Sequence, residues 1–547
     1  MTATLANAPV RDRSLRAPLT GLGTLVAFFL RRDRIRLPAW IAGLSLYILY
    51  IGSALPAIAP DRETLKSMVT LFAEPVGRMF TGPAFGMDAP SYERFFASYY
   101  APYLFILVAL MNIFLITRHT RAEEQSGRAE LIRSNVTGRY APLTASLVVA
   151  VISNFLAGTA VSLVSVAVDF PVAGSVLVGA GTALTGLAFA GIAAVTAQLS
   201  EFSRTASGLA GIVLGASFVL RAMGDMAAMG GSALSWVSPL GWPAQTAPYV
   251  LNRWAPLALS LLLALVTVTA AYVLQSLRDF GASLIAVRPG SARARPSLGS
   301  PFGLAARIQR TSFFGWGAGL IALGLVDGAF MQALLDAGED MPAALQEILG
   351  SEELVSGYLA FLGLFISVLI TAYTLSAMQT ARGEELQGRA DLVLATPVSR
   401  TSWLGSHAAA VAVGAILMNL AVGVGTGIAA GVVTGQASLI GDSIAAHAGL
   451  LPAILVLLAL WVVLFGYAPR LLAPVGWAVI GFVAVLAIFS DLLDLPRWLV
   501  QFSPFAHLAA LPQESFNFTP VTILLVLAAL GGVAGLFGIR QREINVT

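Results

Sequence analysis

Two charged stretches of this 547-residue chain share one pattern. Arg121-Ala-Glu-Glu-Gln-Ser-Gly-Arg-Ala-Glu-Leu131 aligns position for position with Arg382-Gly-Glu-Glu-Leu-Gln-Gly-Arg-Ala-Asp-Leu392, at an offset of 261 residues. In each copy the charges alternate in sign at helical spacing. Arg121 stands three residues before Glu124, and Glu124 four before Arg128. Residues three and four apart are neighbours on a helix surface and pair there. A short helix bearing both signs suits specific, steerable docking on a partner protein. Solvated loop arginines would explain the basic residues alone, but not the matched acids. The candidate docking residues are therefore Arg121, Glu123, Glu124, Gly127, Arg128 and Glu130, with Arg382, Glu384, Glu385, Gly388, Arg389 and Asp391 in the second copy.

Other chemistry is excluded by residue type. The chain has no cysteine, hence no disulfide, thiolate metal site or cysteine nucleophile, and its four histidines argue against a histidine-rich metal site. A phosphate-binding loop needs Gly-x-x-x-x-Gly-Lys-Ser/Thr. The one lysine, Lys66, precedes Ser67 but follows Leu65, so no catalytic or nucleotide site is expected on this chain. The net charge of +3 comes from arginines scattered between apolar stretches, not from a basic face of the kind that binds nucleic acid.

Those apolar stretches dominate. The chain is 57% hydrophobic and 11% charged, where soluble domains carry about 25% charged residues. Residues 37–59 contain no charge, and about 20 such residues span a bilayer core. Charge-poor length marks twelve spans, near 37–59, 100–117, 141–168, 172–198, 205–224 and 255–277, then 313–335, 359–379, 404–433, 445–467, 472–490 and 519–539. The expected class is an all-α polytopic membrane protein. The stretch Leu19 to Leu30 is too short to span and is followed by Arg31, Arg32, Arg34 and Arg36. It reads as an interfacial helix rather than a cleavable signal.

Arginine density then predicts orientation. Arginines cluster before span one, between spans two and three and between spans six and seven, and they follow spans eight, ten and twelve. Segment 336–353 holds six acids and no lysine or arginine. Positive loops face the cytoplasm, so both termini are expected there and 336–353 outside. The repeat extends beyond the charged loops. Trp40 pairs with Trp316 at an offset of 276, and Ser238-Pro239 with Ser503-Pro504 at 265. Two six-span units in parallel orientation follow, 1–277 and 313–547, because an even number of spans preserves orientation. Residues 278–312 form a linker, with a second interfacial helix expected at Leu298 to Arg310.

These features together resemble an ABC-2-type permease, most closely the actinobacterial group associated with tetronasin and polyketide-antibiotic export. The resemblance rests on Glu123, Glu124, Gly127 and Arg128, on Glu384, Glu385, Gly388 and Arg389 with Pro397-Val-Ser-Arg400, on the linker Arg278 to Gly290, and on Ser238-Pro-Leu-Gly-Trp242. It covers nearly the whole chain. The first copy departs from it, ending Val136-Thr-Gly-Arg139. The resemblance implies the ABC-2 (type V-like exporter) fold. It implies loop helices that insert into a groove on a separate ATPase, two copies of that ATPase carrying ATP and Mg, and no cofactor on this chain. It further implies export of amphipathic drugs, antibiotics or lipids across the cell membrane. Residues 226–254 and 491–518 would be external re-entrant segments or aromatic belts.

In the resembling fold, spans two, five, eight and eleven line a cavity. That makes Phe105, Phe114, Phe218, Phe361, Phe365 and Phe489 pathway candidates, with Asn112 and Arg221. Asn154 and Asn419, 265 residues apart, fit helix packing better. The rival function is an ion-coupled secondary drug transporter, which needs intramembrane carboxylates. Asp327 alone lies well inside a span. An enzyme would want clustered acids or histidines, and none appears.

Overall fold

The computed structural model describes residues 18–134, 137–279, 281–285, 292–337, 354–488, 490 and 495–542, and every regular element among them is helical. Eleven helices are long and apolar enough to cross a membrane, and Leu472–Ile488 is a shorter apolar helix of 17 residues. Lipid offers no hydrogen bonds, so a spanning segment must satisfy its backbone internally, as a helix does. The chain divides into two compact units, 1–289 and 290–547.

In the first unit, α1 (Leu22–Arg32) and α2 (Arg36–Ile58) are separated by a turn at residues 33–35. Then follow α3 (Arg62–Ala73) and α4 (Pro75–Phe80), α3 being capped by the Asp61 carboxylate, which accepts from the Thr64 amide at 2.7 Å. The second span, α5 (Ala101–His119), leads into α6 (Arg121–Gln125) and α7 (Arg128–Arg133). Three spans come next, α8 (Ala141–Ala167), α9 (Val172–Leu199) and α10 (Ser203–Ala227). The short α11 (Ala233–Val237) precedes the last span of this unit, α12 (Ala255–Leu277). Helix α9 is central and packs on α5, α8 and α12. Small residues permit this: a Cβ on Gly179 would stand 2.3 Å from the Gly158 carbonyl oxygen. Close backbone approach through small residues is how helices associate where lipid removes the hydrophobic drive.

The second unit contains α13 (Pro301–Ala329), α14 (Leu354–Leu386), α15 (Arg389–Leu394) and α16 (Arg400–Thr434). It continues with α17 (Ser438–Ala448), α18 (Leu451–Tyr467), α19 (Leu472–Ile488) and α20 (Phe518–Gln541). Helices α13 and α16 pack together, as do α18 and α20. A Cβ on Gly466 would lie 2.3 Å from the Gly535 carbonyl oxygen.

Two expectations are corrected. The interfacial helix predicted at 298–310 is not separate: α13 runs unbroken from Pro301 into the span. The short helix expected over the second charged stretch, Arg382 to Leu392, begins as the end of the span, because α14 continues through Arg382 to Leu386. Most of the acidic segment 336–353 lies outside the described residues. Segment 226–254 holds only short helices and three left-handed non-glycine residues, Ala247, Tyr249 and Asn252.

Candidate functional site: the two charged loops and their clamps

Each loop is built as helix, glycine turn, helix. In the first unit Gly127 has φ +73°, and in the second Gly388 has φ +69°. That left-handed conformation costs other residues roughly 1–2 kcal/mol, which accounts for the glycine in both copies. Thr120 (φ −114°, ψ −87°) additionally breaks α5 from α6.

The glutamates are held in place by arginines. Glu124 pairs with Arg121 at 2.7 Å and takes a fork from Arg278, at 2.6 and 3.0 Å. Glu385 pairs with Arg382 at 2.8 Å and takes the same fork from Arg542, at 2.6 and 3.0 Å. Arg278 and Arg542 each stand immediately after the last span of their unit. Glu123 pairs with Arg128 at 3.1 Å and with Arg32 of α1, and Glu384 with Arg389 at 2.6 Å. Forked guanidinium–carboxylate pairs are strong and geometrically specific. The frame is closed by Arg139, which donates to the carbonyls of Gln275 and Ser276 at 3.0 Å, and by Arg400, which donates to the carbonyl of Arg542 at 2.6 Å.

The candidate loop residues divide into buried and exposed sets. Arg121, Glu123 and Glu385 are each 3% exposed or less. They tie the loop to its own unit. The exposed residues include Arg128, Glu130 and Leu131 in one loop and Arg389, Asp391 and Leu392 in the other. Leu131 is 69% and Leu392 74% exposed, a large apolar side chain at the same position of each copy.

One tether belongs to the first unit alone. Asp33, in the turn between α1 and α2, pairs with Arg118 at 2.7 Å and with His119 Nε2, while Phe29 stacks on the His119 ring at 4.2 Å. Burial opposes the Asp33 charge, but the hydrogen bond and charge of His119 and the charge of Arg118 hold its carboxyl below the ordinary value. A depressed folded value stabilises above the unfolded carboxylate pKa, about 3.9, and the contribution fades only as pH falls through the lower folded value. The tether is thus fully formed across the neutral range. At the equivalent positions the second unit has Gln309, Gln379 and Thr380. Gln309 simply donates to the Ala377 carbonyl at 2.8 Å. Without the charged turn, α13 stays continuous.

Under the first loop lies a cavity of about 250 Å³ touched by Phe29, His119, Glu123, Glu124, Gln275 and Arg278. In the second unit a cavity of about 220 Å³ is lined by Phe361, Leu364, Phe505, Leu508 and Leu511 among others. Phe361 and Phe365 stack at 6.2 Å with nearly parallel rings. Of the pathway candidates, Phe361 is the one that lines this cavity. Phe105 is wholly buried, Phe114 is exposed, and Phe489 lies outside the described residues.

Asn112 and Arg221 are corrected. Asn112 and Asn154 exchange side-chain hydrogen bonds at 2.9 and 2.8 Å, fully buried between α5 and α8. Arg221 is 1% exposed, pairs with Asp225 at 3.1 Å and donates to the carbonyls of Met79 and Thr81, under the ring of Phe218. It pins the segment after α4 to α10 instead of lining an exit. Among the described residues no group of three or more histidines and acids is placed to hold a metal ion.

Sequence reasoning missed Arg32, Arg278 and Arg542 as clamp partners, treating them only as positive-loop arginines. The available signal was that Arg278 and Arg542 follow the last span of each unit at nearly the repeat offset, 264 residues.

The family profile described as "Multidrug efflux system permease Rv1217c, C-terminal domain" matches residues 22–274 and residues 298–540. The chain belongs to this family of multidrug efflux system permeases. The multidrug efflux system permease protein Rv1217c of Mycobacterium tuberculosis (strain ATCC 25618 / H37Rv) is 38% identical over 548 residues, covering 98% of each chain. The two matched stretches of this permease each contain one glycine-hinged loop, and both lie within the chain's run of apolar helices, those of a multi-pass membrane protein.

Proposed function

We propose that this permease is the membrane-spanning subunit of an ATP-binding-cassette exporter of the ABC-2 type, in the tetronasin and polyketide-antibiotic group. It moves amphipathic drugs, antibiotics or lipids out of the cell, using ATP hydrolysed on a separate chain. The observation that carries this reading is the duplicated clamp. Glu124–Arg278 and Glu385–Arg542 each fasten a protruding loop helix to the last span of its unit. A loop so fastened passes a push on its tip directly into the membrane bundle. Leu131 and Leu392, rimmed by Glu130 and Asp391, are the contact each tip offers to one ATPase copy. Central apolar residues with a charged rim form the pattern of protein interfaces.

On this assignment the loops and both termini are cytoplasmic, the chain itself is non-catalytic, and ATP and Mg bind only the partner. The test is a pull-down of the cognate ATPase with a parallel efflux assay. Leu131→Asp together with Leu392→Asp is expected to release the ATPase and abolish ATP-driven efflux while the permease remains inserted. Retained ATPase and normal efflux would remove the docking assignment.

A second reading, an ion-coupled secondary drug transporter, is favoured by Asp327. Its Oδ2 is buried within a span and has no hydrogen-bond partner. Asp327→Asn separates the two: an ATP-driven exporter keeps its ATP-dependent efflux, and an ion-coupled carrier loses transport.

A further inference from the structure

The cavity under the first loop has a chemistry of its own. Its charged walls are mostly self-satisfied: Glu123 and Glu124 are paired to arginines, Arg278 is held by Glu124 and Gln198, and Arg139 caps the carbonyl end of α12. One buried acceptor remains unmet. Gln275 donates its amide to the Arg139 carbonyl, and its Oε1 is left buried without a partner. His119 is 1% exposed and directs Nε2 to the Asp33 carboxylate. Asp279 lines the opening and is exposed. The rest of the wall is apolar, from Phe29, Pro142 and Leu143.

The repeat supplies an internal control. At the positions equivalent to Pro142, His119 and Gln275, the second unit has Trp403, Thr380 and Ile539. Trp403 and Ile539 are buried in its core, Trp403 against Phe465. The same clamp frame thus surrounds an acceptor-lined space in the first unit and apolar side chains in the second. A structural role common to both loops does not require that difference.

We propose that this cavity binds a lipophilic organic cation carrying N–H donors, a protonated aromatic amine of two or three rings. Its ammonium or ring N–H groups meet Asp279 and Gln275, and its apolar body lies on Phe29 and Leu143. Small-molecule sites combine apolar walls with a few convergent polar groups in this way. Because Glu123 and Glu124 border the cavity, an occupant sits directly beneath the loop. The proposal rests on the reading that the permease handles amphipathic cargo, and it names the chemical class of that cargo at an entry site on the loop side.

The experiment measures binding of fluorescent 9-aminoacridine to the purified permease in phosphatidylcholine nanodiscs, with uncharged acridine as the control. Saturable binding of 9-aminoacridine and weak binding of acridine are expected. Asp279→Asn should weaken 9-aminoacridine roughly tenfold or more, as loss of a charged hydrogen-bond acceptor does, and leave acridine unaffected. Filling the space as the second unit does, with Pro142→Trp and Gln275→Ile, should abolish saturable binding. Non-saturable uptake, or affinity unchanged in both variants, overturns the assignment. The failure of the exporter reading is separate, because binding needs no ATPase. Saturable, Asp279-dependent binding without ATP-driven transport in vesicles would keep the site and refute the exporter. Transport without such binding would refute the site alone.

Discussion

Glu385 has two cationic partners and almost no exposed surface, so its loss cannot be repaired by water. Removing one member of a buried pair strands the other, at a cost of roughly 3–5 kcal/mol. Glu385→Ala should therefore lower the thermal midpoint of the detergent-solubilised permease, and Arg542→Ala should do the same. The double variant should lose clearly less than the sum of the two, because the pair is shared. Additive losses would show that the two side chains act independently. The acids themselves were legible as a duplicated motif. Their partners were not, since Arg278 lies 154 residues from Glu124 and Arg542 lies 157 from Glu385. Nothing local in the sequence joins such residues; the fold does. The same holds for Asn112, whose pairing with Asn154 becomes visible only once α5 and α8 lie side by side.

At the scale of elements, two glycines separate two physical causes. A Cβ at Gly127 would meet nothing within 4 Å, so Gly127→Ala charges only the left-handed backbone, roughly 1–2 kcal/mol. The expected effect is a loosened loop with weaker ATPase capture and a bundle of nearly parental stability. Gly186 has no unusual backbone, yet its Cβ would lie 1.9 Å from Asn154 Oδ1. Gly186→Ala should split the Asn112–Asn154 pair and destabilise the first unit by a larger margin, read as a lower melting midpoint with the loop intact. If the two variants behaved alike, the separation of hinge from packing would be wrong. Element types were legible because spans announce themselves by charge-poor length. Element boundaries were less so. The composition of 298–310 resembles an interfacial helix, but whether the chain turns before the span is decided by Asp33 in one unit and its absence in the other.

For the whole molecule, the assignment of ATP to a partner predicts that the purified chain shows no ATP turnover and that the assembled exporter carries two ATPase copies. Native mass measurement of the complex, with Leu131→Asp or Leu392→Asp alone reducing the count to one, would check this. A count unaffected by either change would mean the loops are not the docking points. The clamps also bear on how the protein is made. Each one joins a loop that follows the second span to a residue that follows the last span of the same unit. Chains are synthesised and fold from the N-terminal end. While the later spans are still to be inserted, Glu124 and Glu385 have only their local partners, Arg121 and Arg382. A nascent unit therefore holds its loop by local pairs alone until its final helix arrives, and an inserted chain truncated before Arg278 would stay in that state. The ion pair that stiffens the finished permease is thus the last contact each loop gains.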